Sequence, residues 1–143
     1  MKKLLLIAIL LGAGYVGFIQ DSPLRLGRGT ASESDQVLAS AFESRRSGFQ
    51  VEGRGVVVRL LAADVDGARH QRFILRLNSG QTLLVAHNID RAPRIAGLRE
   101  GDEVLFNGEY EWNSEGGVLH WTHRDPAGRH SAGWLKHDGR TYQ

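Results

Sequence analysis

Alternation of apolar and polar residues between positions 69 and 77 constrains the fold of this chain more than any other feature. Successive side chains of a strand point to opposite sides, so residues two apart share a face. One face of this run carries Gln71, Phe73, Leu75 and Leu77. Four more strand-like runs end at turn residues, at positions 49–62, 81–87, 103–112 and 118–123. The sequence therefore predicts a mainly β fold.

The order of the five runs favours a barrel of the OB type. Three consecutive strands are followed by a connector at 88–102 and then by two further strands, which is the order of such barrels. Gly53 and Gly55 interrupt the first run and predict a bulge or a strong bend. Closing the sheet would remove exposed strand edges. A Greek-key sandwich, which normally has about seven strands, is the alternative.

Before the first strand, the sequence predicts a helix over 32–47. One stripe of this segment carries Val37, Leu38, Ala41 and Phe42, and Gly48 can end the helix. The tail at 124–143 is rich in glycine and histidine and predicts an ordered loop followed by a last hairpin. We therefore predict one domain over 32–143, a five-stranded OB-like barrel with one N-terminal helix.

The N-terminus has the pattern of an export signal. Lys2 and Lys3 precede an uncharged run at 4–19, as a basic region precedes the apolar region of a secretory signal. A helix of this run would be about 24 Å long, slightly less than a bilayer core of roughly 30 Å. No clear small-x-small cleavage site is present, which favours an uncleaved anchor at 1–20 over a cleaved signal. We expect a linker at 21–31 and a domain on the periplasmic side of the inner membrane, or secreted into the periplasm after cleavage.

Composition excludes several classes of function. The chain has no cysteine, so disulfide frameworks, thiolate metal sites and cysteine nucleophiles are excluded. The net charge of +2 comes from Lys2 and Lys3, since 16 basic and 16 acidic residues make up the rest. A neutral domain lacks the basic surplus typical of nucleic-acid binding. We therefore do not expect a nucleic-acid partner.

Histidines concentrate near the C-terminus, where four of the six lie within the last 24 residues. Imidazole and carboxylate groups bind zinc and other transition metals. The candidate metal ligands are His120, His123, Asp125 and His130. His120 and His123 point to opposite faces of a regular strand, so they converge only if the strand ends or bulges near Thr122. The preferred alternative is that these side chains hold an irregular loop by hydrogen bonds. We predict no cofactor, with a divalent metal such as zinc as the alternative.

A second set of residues predicts a ligand-binding face. OB-type barrels bind ligands on strands two and three and on nearby loops. Arg72 and Arg76 share the polar face of the second strand, and arginine is suited to pairing with anions. We add to them three candidates from the third strand and the C-terminal loop: His87, Trp134 and His137. The expected partner is an envelope protein, a glycan or an anionic ligand.

Two catalytic arrangements are possible on sequence grounds. Ser131 lies near His130 and Asp125, but no Gly-x-Ser-x-Gly motif surrounds it. Glu109 and Glu111 point the same way on one strand, as a two-carboxylate hydrolase requires. We expect these glutamates instead to pair with arginines of the first strand, such as Arg54 or Arg59.

Long segments of the chain resemble a family of small bacterial proteins, the domain of unknown function 3465 family. The segments are RHQRFILRLNSGQTLLVAHNID, APRI, GDEVLFNGEYEWN, GGVLHWTHRDP and GRHSAGWLKHDGRTYQ, within 50–143. The resemblance implies an OB-like β domain behind a short apolar N-terminal segment. It implies no activity and no catalytic residues.

These observations together favour an exported binding or interaction module of the bacterial cell envelope, tethered by its N-terminus and without catalysis of its own. The alternative is a metal-dependent hydrolase, such as a nuclease, that uses His120, His123, Asp125 and His130.

Overall fold

The computed structural model describes residues 29–143. One helix, α1 (Gly29–Ser44), precedes the strands β1 (Phe49–Leu60), β2 (His70–Arg76), β3 (Thr82–Asn88), β4 (Glu103–Glu111), β5 (Val118–His120), β6 (Trp134–His137) and β7 (Arg140–Tyr142). The predicted anchor at 1–20 lies outside the described residues, as does the predicted linker up to residue 28. Among the described residues, no helix has the length and apolar character needed to cross a membrane.

The sheet closes into a five-stranded barrel. Its strand order is β1-β2-β3-β5-β4, and β4 pairs again with β1. Neighbouring strands are antiparallel except β3 and β5, which are parallel. The predicted OB-like barrel is therefore confirmed, and the sandwich alternative is wrong because the β1–β4 pairing leaves no open sheet. The hairpin β6–β7 extends the sheet beside β4, in the tail where a last hairpin was predicted.

The irregularity in the pairing of the first strand lies beyond the two glycines where a bulge or a bend was predicted. The register of β1 against β2 shifts between Val57 and Arg59. Gly53 and Gly55 instead allow close packing inside the barrel. A Cβ atom at Gly53 would lie 2.8 Å from the ring of Phe106, and one at Gly55 would lie 3.0 Å from the carbonyl oxygen of Arg76.

Alternation in the strands fills the barrel interior. The inward positions of β2, β3 and β4 are fully buried, and they include Phe73, Leu75, Leu83, Val85, Phe106 and Tyr110. Gln71 shares the inward face of β2 as predicted. Its amide donates to the carbonyl of Ile95 at 3.0 Å and accepts from the N–H of Ile95 at 2.9 Å. A polar side chain is thus accommodated in the core because the connector backbone satisfies both of its ends.

The helix begins and ends three residues earlier than predicted. Arg45 adopts a positive φ of 54°, and the Arg46 N–H donates to the Ala41 carbonyl at 2.9 Å, which ends α1 before Gly48. Leu38 and Ala41 are fully buried against the barrel. The indole N–H of Trp112 donates to the Phe42 carbonyl at 3.0 Å. The predicted apolar stripe is thus the surface that docks the helix, although Val37 is exposed.

Candidate ligand-binding face

The two edges of β4 pair with three strands. One edge of β4 pairs with β1 over residues 103–110. The other edge is shared, because β5 pairs with residues 109–111 and β6 pairs with residues 105–107. The chain between β5 and β6 therefore leaves the sheet and returns to the same edge of the same strand. We call residues 121–133 the excursion loop.

A left-handed residue starts the excursion loop. Trp121 has a φ of 53°, so β5 ends at His120 and does not continue to His123 as predicted. Two glycines let the loop approach β4. A Cβ atom at Gly108 would lie 2.6 Å from the His120 carbonyl oxygen. A Cβ atom at Gly133 would overlap the Trp121 carbonyl oxygen and lie 2.7 Å from that of Asn107.

Asp125 organises the middle of the excursion loop. Its carboxylate accepts backbone N–H bonds from Ala127 at 3.0 Å and from Arg129 and His130 at 2.9 Å each. The bond from Ala127 and those from the other two amides hold the pKa of Asp125 below its usual value. This carboxylate binds the loop backbone and thereby fixes the position of His130.

The loop places His130 between an indole ring and a carboxylate. Its ring stacks on Trp121 with centroids 4.0 Å apart and planes inclined by 10°. Nδ1 donates to the Ser131 carbonyl at 2.8 Å, and Nε2 makes a short hydrogen bond to Glu109 Oε2. Because a carbonyl only accepts, Nδ1 carries a proton, and with Glu109 in its carboxylate form the second contact requires a proton on Nε2 as well. His130 and Glu109 therefore form an ion pair in this arrangement.

The electrostatics of the pair agree with this assignment. Partial burial opposes the charge on Glu109, but the hydrogen bond from His130 and the positive charges of His120 and His130 outweigh it and lower the pKa of Glu109. Burial likewise opposes the charge on His130, but the bonds to Glu109 and to the Ser131 carbonyl raise the pKa of His130. Each partner stabilises the charged form of the other.

Two more ionisable side chains adjoin this pair. Possible ligand atoms of Glu109, Glu111 and His120 all lie within 4.8 Å of one another. The Nε2 atom of His120 lies 3.6 Å from Glu111 Oε1, is buried, and makes no hydrogen bond. We call Glu109, Glu111, His120 and His130 the histidine–glutamate cluster. Its carboxylates and imidazoles are groups that can hold a metal ion.

The structure brings together two of the four predicted metal ligands. His120 and His130 belong to the cluster, whereas Asp125 bonds backbone amides. His123 is 4% exposed, and its Nδ1 donates to the Arg124 carbonyl at 2.7 Å. The nucleophilic set around Ser131 is not formed, because His130 bonds the backbone oxygen of Ser131 and Asp125 bonds no imidazole nitrogen.

Glu109 and Glu111 belong to the cluster, although the sequence predicted that they pair with arginines of the first strand. The expected pairing with Arg54 or Arg59 is wrong, because the register sets Arg54 opposite Leu105 and Arg59 opposite Ile74. Across the other edge of β4, Glu109 stands opposite His120. The spacing of the glutamates on one face of β4 was a usable signal, but only the pairing of β4 with β5 identifies the neighbours.

The predicted ligand residues occupy separate environments. His87 is fully buried, with Nδ1 2.7 Å from Thr122 Oγ1 and Nε2 2.9 Å from the Pro93 carbonyl. Arg72 Nε donates to the Ala62 carbonyl at 3.1 Å, and Arg76 is exposed at the end of β2. The other two predicted residues lie on β6. His137 Nε2 donates to Asp102 Oδ2 at 2.8 Å, and the Lys136 Nζ lies 4.3 Å from the ring centroid of Trp134.

Fold and surface together define a class: an OB-like barrel whose fourth and fifth strands and excursion loop carry a cluster of two histidines and two glutamates. The family model described as Protein of unknown function (DUF3465) matches residues 23–143. The chain belongs to this family, as the sequence resemblance indicated. No curated protein matches the chain.

Proposed function

We propose that this protein is an exported binding module of the bacterial cell envelope whose binding surface is centred on the histidine–glutamate cluster. The observation that carries the proposal is the convergence of two strands and one ordered loop on four partly exposed ionisable side chains. Convergent polar groups on a rigid scaffold are typical of binding sites. The surface lies about the excursion loop and differs from the face predicted on Arg72 and Arg76.

The construction of the loop supports binding by a preformed surface. Asp125 ties three loop amides, Trp121 stacks on His130, and two glycines permit close contact with β4. Such a surface loses little conformational entropy when a ligand binds. Among residues 29–143, the nucleophilic set considered from the sequence is not assembled.

Export rests on the sequence of the N-terminus. Lys2, Lys3 and the apolar run at 4–19 support an inner-membrane anchor with the domain on the periplasmic side. Protease treatment of intact cells and of spheroplasts tests this part. We expect cleavage of the domain only in spheroplasts. Protection in spheroplasts together with recovery in the cytosolic fraction would overturn export.

Photo-crosslinking in intact cells tests the binding surface even though its ligand is unidentified. A photoreactive amino acid replaces exposed Arg129 in the excursion loop, or exposed Arg76 on β2 as the matched position outside the surface. We expect an adduct of defined mass from position 129 and none from position 76. An adduct only from position 76 would favour the face predicted from the sequence, and equal adducts or none from both positions would contradict the proposal.

A metal-dependent hydrolase is the second candidate, because Glu109, Glu111 and His120 bring possible metal ligands together at a partly exposed site. Its ligand set then differs from the predicted one, since His123 and Asp125 lie outside the cluster. Hydrolysis of bis(p-nitrophenyl) phosphate in the presence of Zn²⁺ or Mn²⁺ tests it. Turnover that is lost in Glu111→Gln would support the hydrolase, and turnover unchanged by that substitution would exclude this site.

A further inference from the structure

We propose that the histidine–glutamate cluster is a site for a divalent transition-metal ion, with Glu109, Glu111 and His120 as ligands and His130 as the fourth donor. This inference rests on the proposed function only in taking the cluster as the binding surface. It proposes that the ligand bound by the cluster itself is a divalent cation of the zinc class.

The first argument is the buried nitrogen of His120. Its Nε2 atom has no hydrogen-bond partner, although it is shielded from solvent. An unsatisfied buried polar atom costs roughly 1–3 kcal/mol, so such atoms usually have a partner. The nearest acidic oxygen, Glu111 Oε1, lies 3.6 Å away, which is too long for a hydrogen bond. A metal ion between these two atoms would satisfy both.

The second argument is the orientation of His130. Its Nδ1–H is already committed to the Ser131 carbonyl. A metal ion that displaces the Nε2 proton would therefore meet a lone pair directed toward Glu109, where the carboxylate also presents lone pairs. Metal-binding histidines commonly donate their second ring N–H to a backbone carbonyl, which fixes the tautomer and the ring orientation. Trp121 stacks on the face of this ring and holds its plane.

The spacing of the ligand atoms fits a small ion after a modest adjustment. Zinc binds nitrogen and oxygen ligands at about 2.0–2.2 Å, so neighbouring ligands of a tetrahedral site lie roughly 3.4 Å apart. The three ligand atoms lie within 4.8 Å of one another. Glu111 and His120 are 42% and 34% exposed at their side chains, so small rotations can bring their atoms closer.

The donor set selects the class of metal. Calcium and magnesium prefer sites made entirely of oxygen ligands, whereas imidazole together with carboxylate suits zinc and its neighbours among the transition metals. Cysteine is absent from the chain, so thiolate ligands play no part.

Cobalt titration of the full-length protein, purified in detergent without a histidine tag, tests the site. Co²⁺ replaces Zn²⁺ in tetrahedral sites and gives visible absorption bands that report ligand number. We expect one equivalent of Co²⁺ to bind with such bands and Zn²⁺ to displace it. Glu111→Gln and His120→Gln should each weaken binding by at least about tenfold, since even outer partners of metal ligands contribute 10–100-fold.

Two control variants match these changes outside the cluster. Glu103→Gln alters a glutamate at the other end of β4, and His70→Gln alters a histidine on β2. Both should bind Co²⁺ like the unmodified protein, and circular dichroism should show the same β spectrum for all four variants. Glu111→Gln, at a partly exposed position, keeps the test decisive if His120→Gln fails to fold.

Absence of a saturable one-equivalent band, or equal affinity in Glu111→Gln and Glu103→Gln, would overturn the metal site. Neither result would affect the crosslink expected at position 129, which needs no added metal. Conversely, cobalt binding with no crosslink at position 129 would retain the metal site and remove the proposed envelope partner. The two proposals therefore fail on different measurements.

Discussion

His87 accepts a hydrogen bond from Thr122 at a distance of 2.7 Å, across 35 positions of the chain. The opposite ring nitrogen donates to the Pro93 carbonyl at 2.9 Å, which fixes the ring as the neutral Nε2–H tautomer. This imidazole therefore joins β3, the β3–β4 connector and the start of the excursion loop. The link explains why a side chain with ligand-like chemistry is fully buried.

Replacement of Thr122 by valine should destabilise the fold. The substitution keeps the shape of the side chain but removes the donor to His87 Nδ1, and an unsatisfied buried acceptor costs about 1–3 kcal/mol. Urea unfolding followed by tryptophan fluorescence measures the free energy of unfolding. Thr141→Val, at an exposed position on β7, is the matched control and should change it little. Equal effects of the two substitutions would contradict a structural role for the His87–Thr122 bond.

Stability should also fall in mild acid because of His87. Burial lowers the pKa of His87, and although the Pro93 carbonyl opposes this effect, the charges of His123 and His70 add to it. The unfolded chain therefore binds a proton at this residue below about pH 6.5, where the folded chain does not. The free energy of unfolding should decrease as the pH falls from about 6.5 toward the lowered pKa.

Comparison with His87→Gln isolates this contribution, since glutamine does not titrate. Urea unfolding at several pH values between 7.5 and 5 should show a shallower pH dependence in the variant. Other titrating groups, including the His130–Glu109 pair, remain in both proteins, so they cancel in the difference. Parallel curves would show that His87 does not titrate differently on folding.

Gly133→Ala should be far more damaging than Gly128→Ala. A Cβ atom at Gly133 would overlap the backbone oxygen of Trp121, and the backbone cannot yield easily, so a cost of at least about 2–3 kcal/mol is expected. Gly128 has a φ of 65° with open space around it, so alanine there should cost only about 1–2 kcal/mol of left-handed strain. Thermal unfolding measures both, and a reversed order would contradict the packing described for the excursion loop.

Asp125→Ala should loosen the excursion loop while leaving the barrel folded. The substitution removes the acceptor of three loop amides, at Ala127, Arg129 and His130. Hydrogen exchange should accelerate at these amides, while those of β2 and β3 keep their protection. Asp138→Ala, in the exposed β6–β7 turn, is the control and should leave loop exchange unchanged. Unaltered exchange at the three amides in Asp125→Ala would show that other contacts order the loop.

The barrel was predictable because its signals are local. Alternation identifies the inward residues of β2, and the order of strands and connector identifies the closed topology. The end of β5 was not predictable, because the left-handed conformation of Trp121 depends on space left by Gly108 and Gly133. Neither glycine is adjacent to Trp121 in the sequence, so no local pattern indicates the turn.

The cluster was predictable only in part for the same reason. Late histidines indicated a possible site, and His120 and His130 do lie together. Glu109 and Glu111 shared a face of their strand in the sequence analysis, but their neighbours depend on which strand pairs with which edge of β4. Long-range contacts also determine why His87 is buried and not part of a binding face, because its partners Thr122 and Pro93 belong to two other segments.

The excursion loop departs from one edge of β4 and returns to that edge, opposite the edge whose hydrogen bonds to β1 close the barrel. Its exposed part can consequently change during evolution without breaking the ring of five strands, provided that the two contact glycines, Thr122 and Asp125 remain. Homologous chains can therefore keep one scaffold while the outer part of the loop varies, so sequence drift should concentrate at the exposed positions 126–129.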